Sequence, residues 1–289
     1  MSTPVFRQYD QAALDREYDN RRKVAAFPEW LARYTRESER VRKDLDARLD
    51  VAYGPTPAER LDIFPAGTRA PINVFVHGGY WRSLDKAEFD FVAGAFVPAG
   101  VASVVVNYAL VPSVSMDELV RQCRAAVTWV HRNAASFGGD PDRIFVSGHS
   151  AGGHLVAMLL ATDWRAFDGL PADVVKGGAG ISGLYDLEPI RLCYLNDTLG
   201  LTPEDARRNS PVLLPAPRRG ALLLTLGGEE GPEYHRQTDD LARAWRHPDL
   251  AIDVLDLAGE DHFSIVAQLE APASALSRAI LAQMGVPGR

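Results

Sequence analysis

Cysteine is nearly missing from this sequence: Cys123 and Cys193 are the two among 289 residues. Two thiols exclude a disulfide framework and a four-ligand structural zinc site, so both read as free, partly buried side chains. No apolar run approaches the roughly 20 residues a membrane helix needs. Basic residues are no excess either, with Lys+Arg at 31 against Asp+Glu at 38 and a formal net charge of −7. That balance argues against nucleic acid or an anionic membrane as partner. Met1–Asn20 mixes Arg7, Asp10, Asp15, Arg16 and Glu17 with no apolar stretch, so it does not read as a secretory signal. A soluble, cytoplasmic chain is the expectation. Signatures for metals and nucleotides are missing too: there is no H-E-x-x-H or H-x-x-E-H, no G-x-x-x-x-G-K-[ST], and no G-x-G-x-x-G after the first strand. The reading therefore includes no cofactor and no metal.

A core is affordable, since 46% of residues are hydrophobic and 24% charged. Residues 1–46 are charged, and Phe27, Trp30, Leu31 and Tyr34 recur at helical spacing with Pro28 suited to a first turn. They predict an N-terminal helical arm packed on the edge of a body spanning 47–289. Whether the arm gates a site is left open. Strands are predicted at Arg60–Phe64, Ile72–Val76, Ala102–Tyr108, Arg143–Gly148, Val174–Ser182, Ala221–Leu226 and Ala251–Leu257. Helical patterns run over Met116–Ala135, with Ser115 and Glu118 spaced as a capping box, and over His154–Thr162. Such alternation predicts an α/β fold with a mostly parallel sheet flanked by helices. The irregular, Pro-rich stretch at 183–217 reads as a small cap-like insertion. In such sheets ligands sit beyond the carboxyl ends of the strands, and the motifs below fall there.

Gly148-His149-Ser150-Ala151-Gly152 fits G-x-S-x-G between a strand and a helix. The chemistry needs a very tight turn that presents a serine at a helix N-terminus, and the small residues around Ser150 permit it. His77-Gly78-Gly79-Tyr80-Trp81 follows an earlier strand and has the position of an esterase oxyanion loop, with Tyr80 where a third glycine is usual. The oxyanion residues read from these motifs are Gly78, Gly79, Tyr80 and Ala151, the amides of Gly79, Tyr80 and Ala151 serving as donors.

A serine nucleophile needs a base and an acid, in the chain order Ser, acid, His. Of the seven histidines, His77 and His149 belong to the two loops, His154 follows the elbow, and His131, His235 and His247 sit on or beside other helices. His262, in Gly259-Glu260-Asp261-His262-Phe263 directly after the last strand, is where the base belongs. The loop after Ala221–Leu226 has no Asp, so the acid is Glu230, with Glu229 as the alternative. Glu233 reads as a first-turn helix residue, and Asp256 and Asp261, which flank the histidine loop, are weaker candidates for the acid that otherwise read as local turn formers.

These loops resemble the arylformamidase (kynurenine formamidase) branch of the α/β-hydrolases, which borders the hormone-sensitive-lipase-like esterases. Ser182-Gly183-Leu184-Tyr185-Asp186-Leu187-Glu188-Pro189-Ile190, Gly231-Pro232-Glu233-Tyr234-His235-Arg236-Gln237 and Asp261-His262-Phe263-Ser264-Ile265-Val266 strengthen the likeness, which runs from about residue 60 to 270. The resemblance implies an α/β-hydrolase fold, with Ser150 as nucleophile, His262 as base and Glu230 where the family more often has Asp. It also implies a pocket walled by the HGGYW loop and the 183–217 insertion, with Tyr80, Trp81 and Tyr185 as aromatic substrate-binding candidates. The activity implied is hydrolysis of an N-formyl aryl amine. A short-chain carboxylesterase is the alternative, and a non-catalytic binding use of the fold is a third reading. The partner is a small-molecule amide or ester, and the reading admits a homodimer.

Overall fold

The computed structural model describes residues 3–286, so the two residues at the start of the expected arm and the three at the end of the expected body lie outside the described residues. Among the described residues, eight strands form one sheet in the order β1-β2-β4-β3-β5-β6-β7-β8. They are β1 (Arg48–Ala52), β2 (Arg60–Phe64), β3 (Ala70–Val76), β4 (Ala102–Val106), β5 (Gly139–His149), β6 (Val175–Ile181), β7 (Gly220–Gly227) and β8 (Leu250–Leu257). β1, β2 and β4 pair antiparallel, and every pairing from β4 through β3 to β8 is parallel. β1 is the one strand that the sequence pattern does not announce. Its side chains are mostly exposed, so no apolar alternation marks it.

Because side chains alternate across a strand, the sheet feeds two cores. Val74 and Val76 of β3 pack on one face with the helices Met116–Asn133 and Ala151–Leu160, whereas Phe75 points to the other. That second core holds Tyr34, Phe89, Phe91 and Phe96, together with Leu276, Ile280 and Leu281 of the C-terminal helix Ala275–Gln283. Ser115 caps the helix Met116–Asn133 by accepting the Glu118 amide. The expected box is only half formed, because the Glu118 carboxylate turns to Arg121 and Gln122 instead of back to the cap. Cys123 and Cys193 are free and buried. No described helix is long and apolar enough to cross a membrane.

The N-terminal residues form three helices, α1 (Gln11–Tyr18), α2 (Asn20–Lys23) and α3 (Phe27–Asp44). Leu14 and Tyr18 are buried in the first core, and Tyr34 and Val41 in the second. The arm thus packs into both cores. It contributes apolar surface to both cores, where each buried large side chain is worth about 1.5–3 kcal/mol.

Candidate active site

Ser150 occupies the turn between β5 and the helix Ala151–Leu160, with φ 57° and ψ −117°. Such a backbone is costly for a residue with a Cβ and persists only where its surroundings over-determine it. Here the Ser150 amide donates to the Ile181 carbonyl at 2.7 Å. Glycine at 152 is obligatory, since a Cβ there would lie 1.9 Å from the Val76 carbonyl oxygen at the end of the neighbouring strand. The turn points the Ser150 hydroxyl at His262, whose Nε2 lies 3.0 Å from Oγ.

His262 sits in the loop after β8. Asp261 shapes that loop by accepting the amides of Phe263 and Ser264, the local role its turn position suggests. On its other side, His262 Nδ1 lies 2.7 Å from Glu230 Oε2. The second carboxylate oxygen of Glu230 accepts the Gly227 amide at 2.8 Å and the Ser182 hydroxyl. These bonds hold the carboxylate beside the imidazole. Glu229 is exposed and lies outside this arrangement. The structure therefore brings Ser150, His262 and Glu230 together in a line of hydrogen bonds. Ser150 and His262 are only 3% and 5% exposed, so the line is screened from bulk water.

The HGGYW loop passes over the elbow. Gly78 is pressed against it, with a Cβ at 78 falling 2.9 Å from the His149 carbonyl oxygen and 3.1 Å from Ser150 Cβ. Gly79 has φ 111°, and a Cβ would clash with the Ser83 carbonyl at 2.0 Å, so no other residue fits the turn. Tyr80 and Trp81 follow with φ of 50° and 57°. Among the described residues, the amides of Gly79 and Tyr80 donate to no acceptor. Ala151, the first residue of its helix, has no intrahelical acceptor for its amide. These are the donors an oxyanion requires. His77 staples the loop beneath: Nδ1 donates to the Gly78 carbonyl at 2.8 Å, the ring stacks on Tyr108 at 4.4 Å, and burial lowers its pKa.

A cavity of about 470 Å³, counting its opening to solvent, leads to Ser150. Its walls are mainly rings: Phe27, Tyr34, Tyr80, Phe89 and Phe263, with His149 and His262 at the base. Two expectations need correction here. Trp81 and Tyr185 do not line this cavity. Trp81 is fully buried, donates from Nε1 to His154 Nδ1 at 3.1 Å and meets that ring edge-on at 5.1 Å. Tyr185 is turned into the body, where its hydroxyl fills the space that a Cβ on Gly180 or Gly183 would take. Nor does the 183–217 insertion supply a wall. The N-terminal arm does, through Asn20, Arg21, Phe27, Leu31 and Tyr34.

The arm is tied to the HGGYW loop through phenols. Tyr80 Oη donates to the Tyr18 carbonyl at 2.7 Å and lies 2.8 Å from Tyr234 Oη. Asn20 Nδ2 donates to Tyr80 and Tyr234, at 3.2 and 2.6 Å. Tyr18 Oη donates to Glu233 Oε2 at 2.9 Å and accepts from Gln237 at 3.0 Å. Burial raises the pKa of all three phenols, keeping them neutral donors. The Tyr234 ring lies 4.9 Å from that of His262. Sequence reasoning missed Asn20, Arg21, Tyr234 and His149 as site residues. No motif joins the arm to loops that lie 60 to more than 200 residues away.

A family model described as BD-FAE matches residues 61–176. The chain is 33% identical over 256 residues to the kynurenine formamidase of Danio rerio, covering 86% of this chain and 85% of that one. It is 35% identical over 257 residues to that of Salmo salar, again covering 86% and 85%. A crystal structure from a Silicibacter species, described as a candidate thioesterase, superposes with a TM-score of 0.80 at 31% identity, covering 92% of this chain and 98% of that one. With the eight-stranded, mostly parallel sheet, these likenesses show that the chain belongs to the kynurenine formamidase-like branch of the α/β-hydrolases, a family of hydrolases.

Proposed function

We propose that this chain hydrolyses N-formyl aryl amines by acyl transfer to Ser150, with His262 as base and Glu230 as orienting acid. One observation carries the reading: Ser150 Oγ, His262 Nε2, His262 Nδ1 and Glu230 Oε2 are joined at 3.0 and 2.7 Å at the foot of a ring-lined cavity. Relatives named kynurenine formamidase at 33% and 35% identity support the substrate class.

The chemistry follows from the atoms. His262 Nε2 takes the Ser150 proton as Oγ bonds to the formyl carbon, and Glu230 stabilises the imidazolium. The carbonyl oxygen, now charged, accepts from the amides of Gly79, Tyr80 and Ala151, each such donor being worth about 100- to 1,000-fold in kcat. His262 returns the proton to the amine nitrogen as the C–N bond breaks, releasing the aryl amine. Water, deprotonated by His262, then attacks the formyl ester, and formate leaves as Ser150 regains its proton. The loss of the arylamine's ring from water into Phe27, Phe89 and Phe263 would supply binding through apolar burial and ring contacts. The Silicibacter protein's description favours a second reading, a thioester substrate handled by the same residues.

The test is stoichiometry. Incubation with formanilide is expected to give aniline and formate in equal amounts, and Ser150→Ala is expected to give neither. Aniline release undiminished in Ser150→Ala would refute the assignment.

A further inference from the structure

We propose that Asn20 and Arg21, adjacent residues of the N-terminal arm, are positioning residues that brace the Gly79–Tyr80 peptide, whose N–H would meet the oxyanion formed at Ser150. This rests on the Ser150 part of the proposed function and holds for an amide or an ester substrate alike.

A peptide unit is planar, so its C=O and N–H point in opposite directions and turn together. Holding the Gly79 carbonyl at one end and the Tyr80 side chain at the other therefore aims the Tyr80 amide. The carbonyl end is held by two donors. The Gly79 oxygen accepts Ser83 Oγ at 3.0 Å and the Arg82 amide at 3.2 Å. Ser83 spends its one proton there and offers a lone pair to Arg21, whose Nη2 donates to Oγ at 3.2 Å. The guanidinium carbon lies 4.9 Å from the Phe27 ring centroid, which seats it on the arm.

At the other end, Tyr80 has φ 50°, a costly backbone for a residue with a Cβ that persists only where the surroundings hold it. Its phenol is anchored on three sides. The Tyr18 carbonyl can only accept, so Tyr80 Oη spends its proton there, at 2.7 Å. Tyr234 Oη, 2.8 Å away, then donates to Tyr80. Each phenol oxygen keeps a lone pair, and Asn20 Nδ2 gives one N–H to each, at 3.2 and 2.6 Å. Asn20 is buried, so its loss would leave both oxygens short of a donor. Two consecutive arm residues thus reach both ends of one peptide unit, Asn20 through the Tyr80 phenol and Arg21 through Ser83.

Trifluoroacetophenone tests this without turnover. Ser150 Oγ bonds to its carbonyl carbon, the C=O π pair moves to oxygen, and the hydroxyl proton passes to His262, which leaves a hemiketal oxyanion at the braced amide. The matching alcohol, α-(trifluoromethyl)benzyl alcohol, fills the cavity but forms no such bond. Affinities for both are read by fluorine NMR. Asn20→Leu is expected to weaken the ketone by roughly 10- to 100-fold and the alcohol by less than about twofold. Arg21→Ala and Ser83→Ala are expected to weaken the ketone by roughly three- to tenfold, again sparing the alcohol. Arg21→Ala is expected to add little to Ser83→Ala, because it acts through that hydroxyl. A full further loss would overturn the bracing role of Arg21. Arg21 is exposed, so its variant tests the idea even if Asn20→Leu folds poorly. An adduct that is lost in Ser150→Ala yet unchanged in the arm variants overturns the brace alone, as does a parallel loss of ketone and alcohol. No Ser150-dependent adduct in the wild-type chain overturns the Ser150 reading and the brace with it. An adduct that depends on Asn20 in a chain inert toward formanilide leaves the brace standing and removes the formamide substrate.

Discussion

His149 Nε2 donates to the backbone carbonyl of His262 at 2.8 Å, clasping the residue before the elbow serine to the loop that carries the proposed base. The acceptor is a carbonyl, so Nε2 holds the proton. Burial, and next to it the neighbouring His262, keeps the His149 pKa well below its ordinary value, so the ring stays neutral. The two imidazoles lie 4.8 Å apart. His149 thus positions His262 without touching the reacting atoms. His149→Phe keeps a ring of similar size but loses the bond. It is expected to lower kcat by roughly 10- to 100-fold with KM little changed, because a small misplacement of a reacting group carries a cost of that order. Steady-state kinetics beside the rate of fluorophosphonate labelling checks this. An increase in KM at constant kcat would contradict it.

The acid is decided by a pair of variants. Glu230→Gln removes the charge beside His262 Nδ1 and disturbs the tautomer, which is expected to lower kcat by about 10,000-fold. Glu229→Gln, at an exposed position outside the hydrogen-bonded line, is expected to stay within a few-fold of wild type. A reversed order would move the acid to Glu229.

Trp81 is expected to matter for folding and not for substrate choice. Trp81→Phe keeps most of the buried volume but leaves His154 Nδ1 without its donor. An unsatisfied buried acceptor costs about 1–3 kcal/mol. The melting temperature is expected to fall by several degrees while the ratio of kcat/KM between two aryl substrates holds. A changed ratio at unchanged stability would return Trp81 to the pocket wall.

Buried histidines also set a direction for acid stability. His154 is fully buried, accepts from Trp81 and donates from Nε2 to the Asn209 carbonyl at 2.8 Å. Burial pushes its pKa down to about 4 from 6.5. The unfolded chain therefore binds more protons between those values, so stability rises with pH across that window. It is complete above pH 6.5 and is lost as pH falls toward 4, by at most about 3 kcal/mol for this residue. Melting temperatures from pH 7.5 down to about 4.5 are expected to decline, and His154→Gln is expected to flatten the slope. An equal slope in the variant would assign the acid sensitivity elsewhere.

The sheet and the loops at its carboxyl edge were legible because tight turns and buried strands leave local marks. β-branched runs announce β3 and β4, Gly148 and Gly152 bracket the Ser150 turn, and Gly78 and Gly79 precede Tyr80. The grouping of Ser150, His262 and Glu230 follows from chain order, since each ends a parallel strand at the same sheet edge. The arm's contribution was not legible. Asn20 reaches Tyr80 and Tyr234 across 60 and 214 residues, a contact that no periodicity encodes. Aromatic residue type was also a poor guide to the cavity. Trp81 stands next to Tyr80, yet successive positive φ angles send one ring into the core and the other to the wall.

The most direct measurement of the central claim is the ratio of kcat/KM for formanilide to that for phenyl acetate, with Ser150→Ala as the blank. Amides are intrinsically far less reactive than aryl esters, so a site adapted to formamides is expected to bring formanilide level with phenyl acetate or above it, and both rates are expected to vanish in Ser150→Ala. Efficient turnover of phenyl acetate with formanilide indistinguishable from the Ser150→Ala blank would contradict the formamidase account and leave an esterase built on the same three residues.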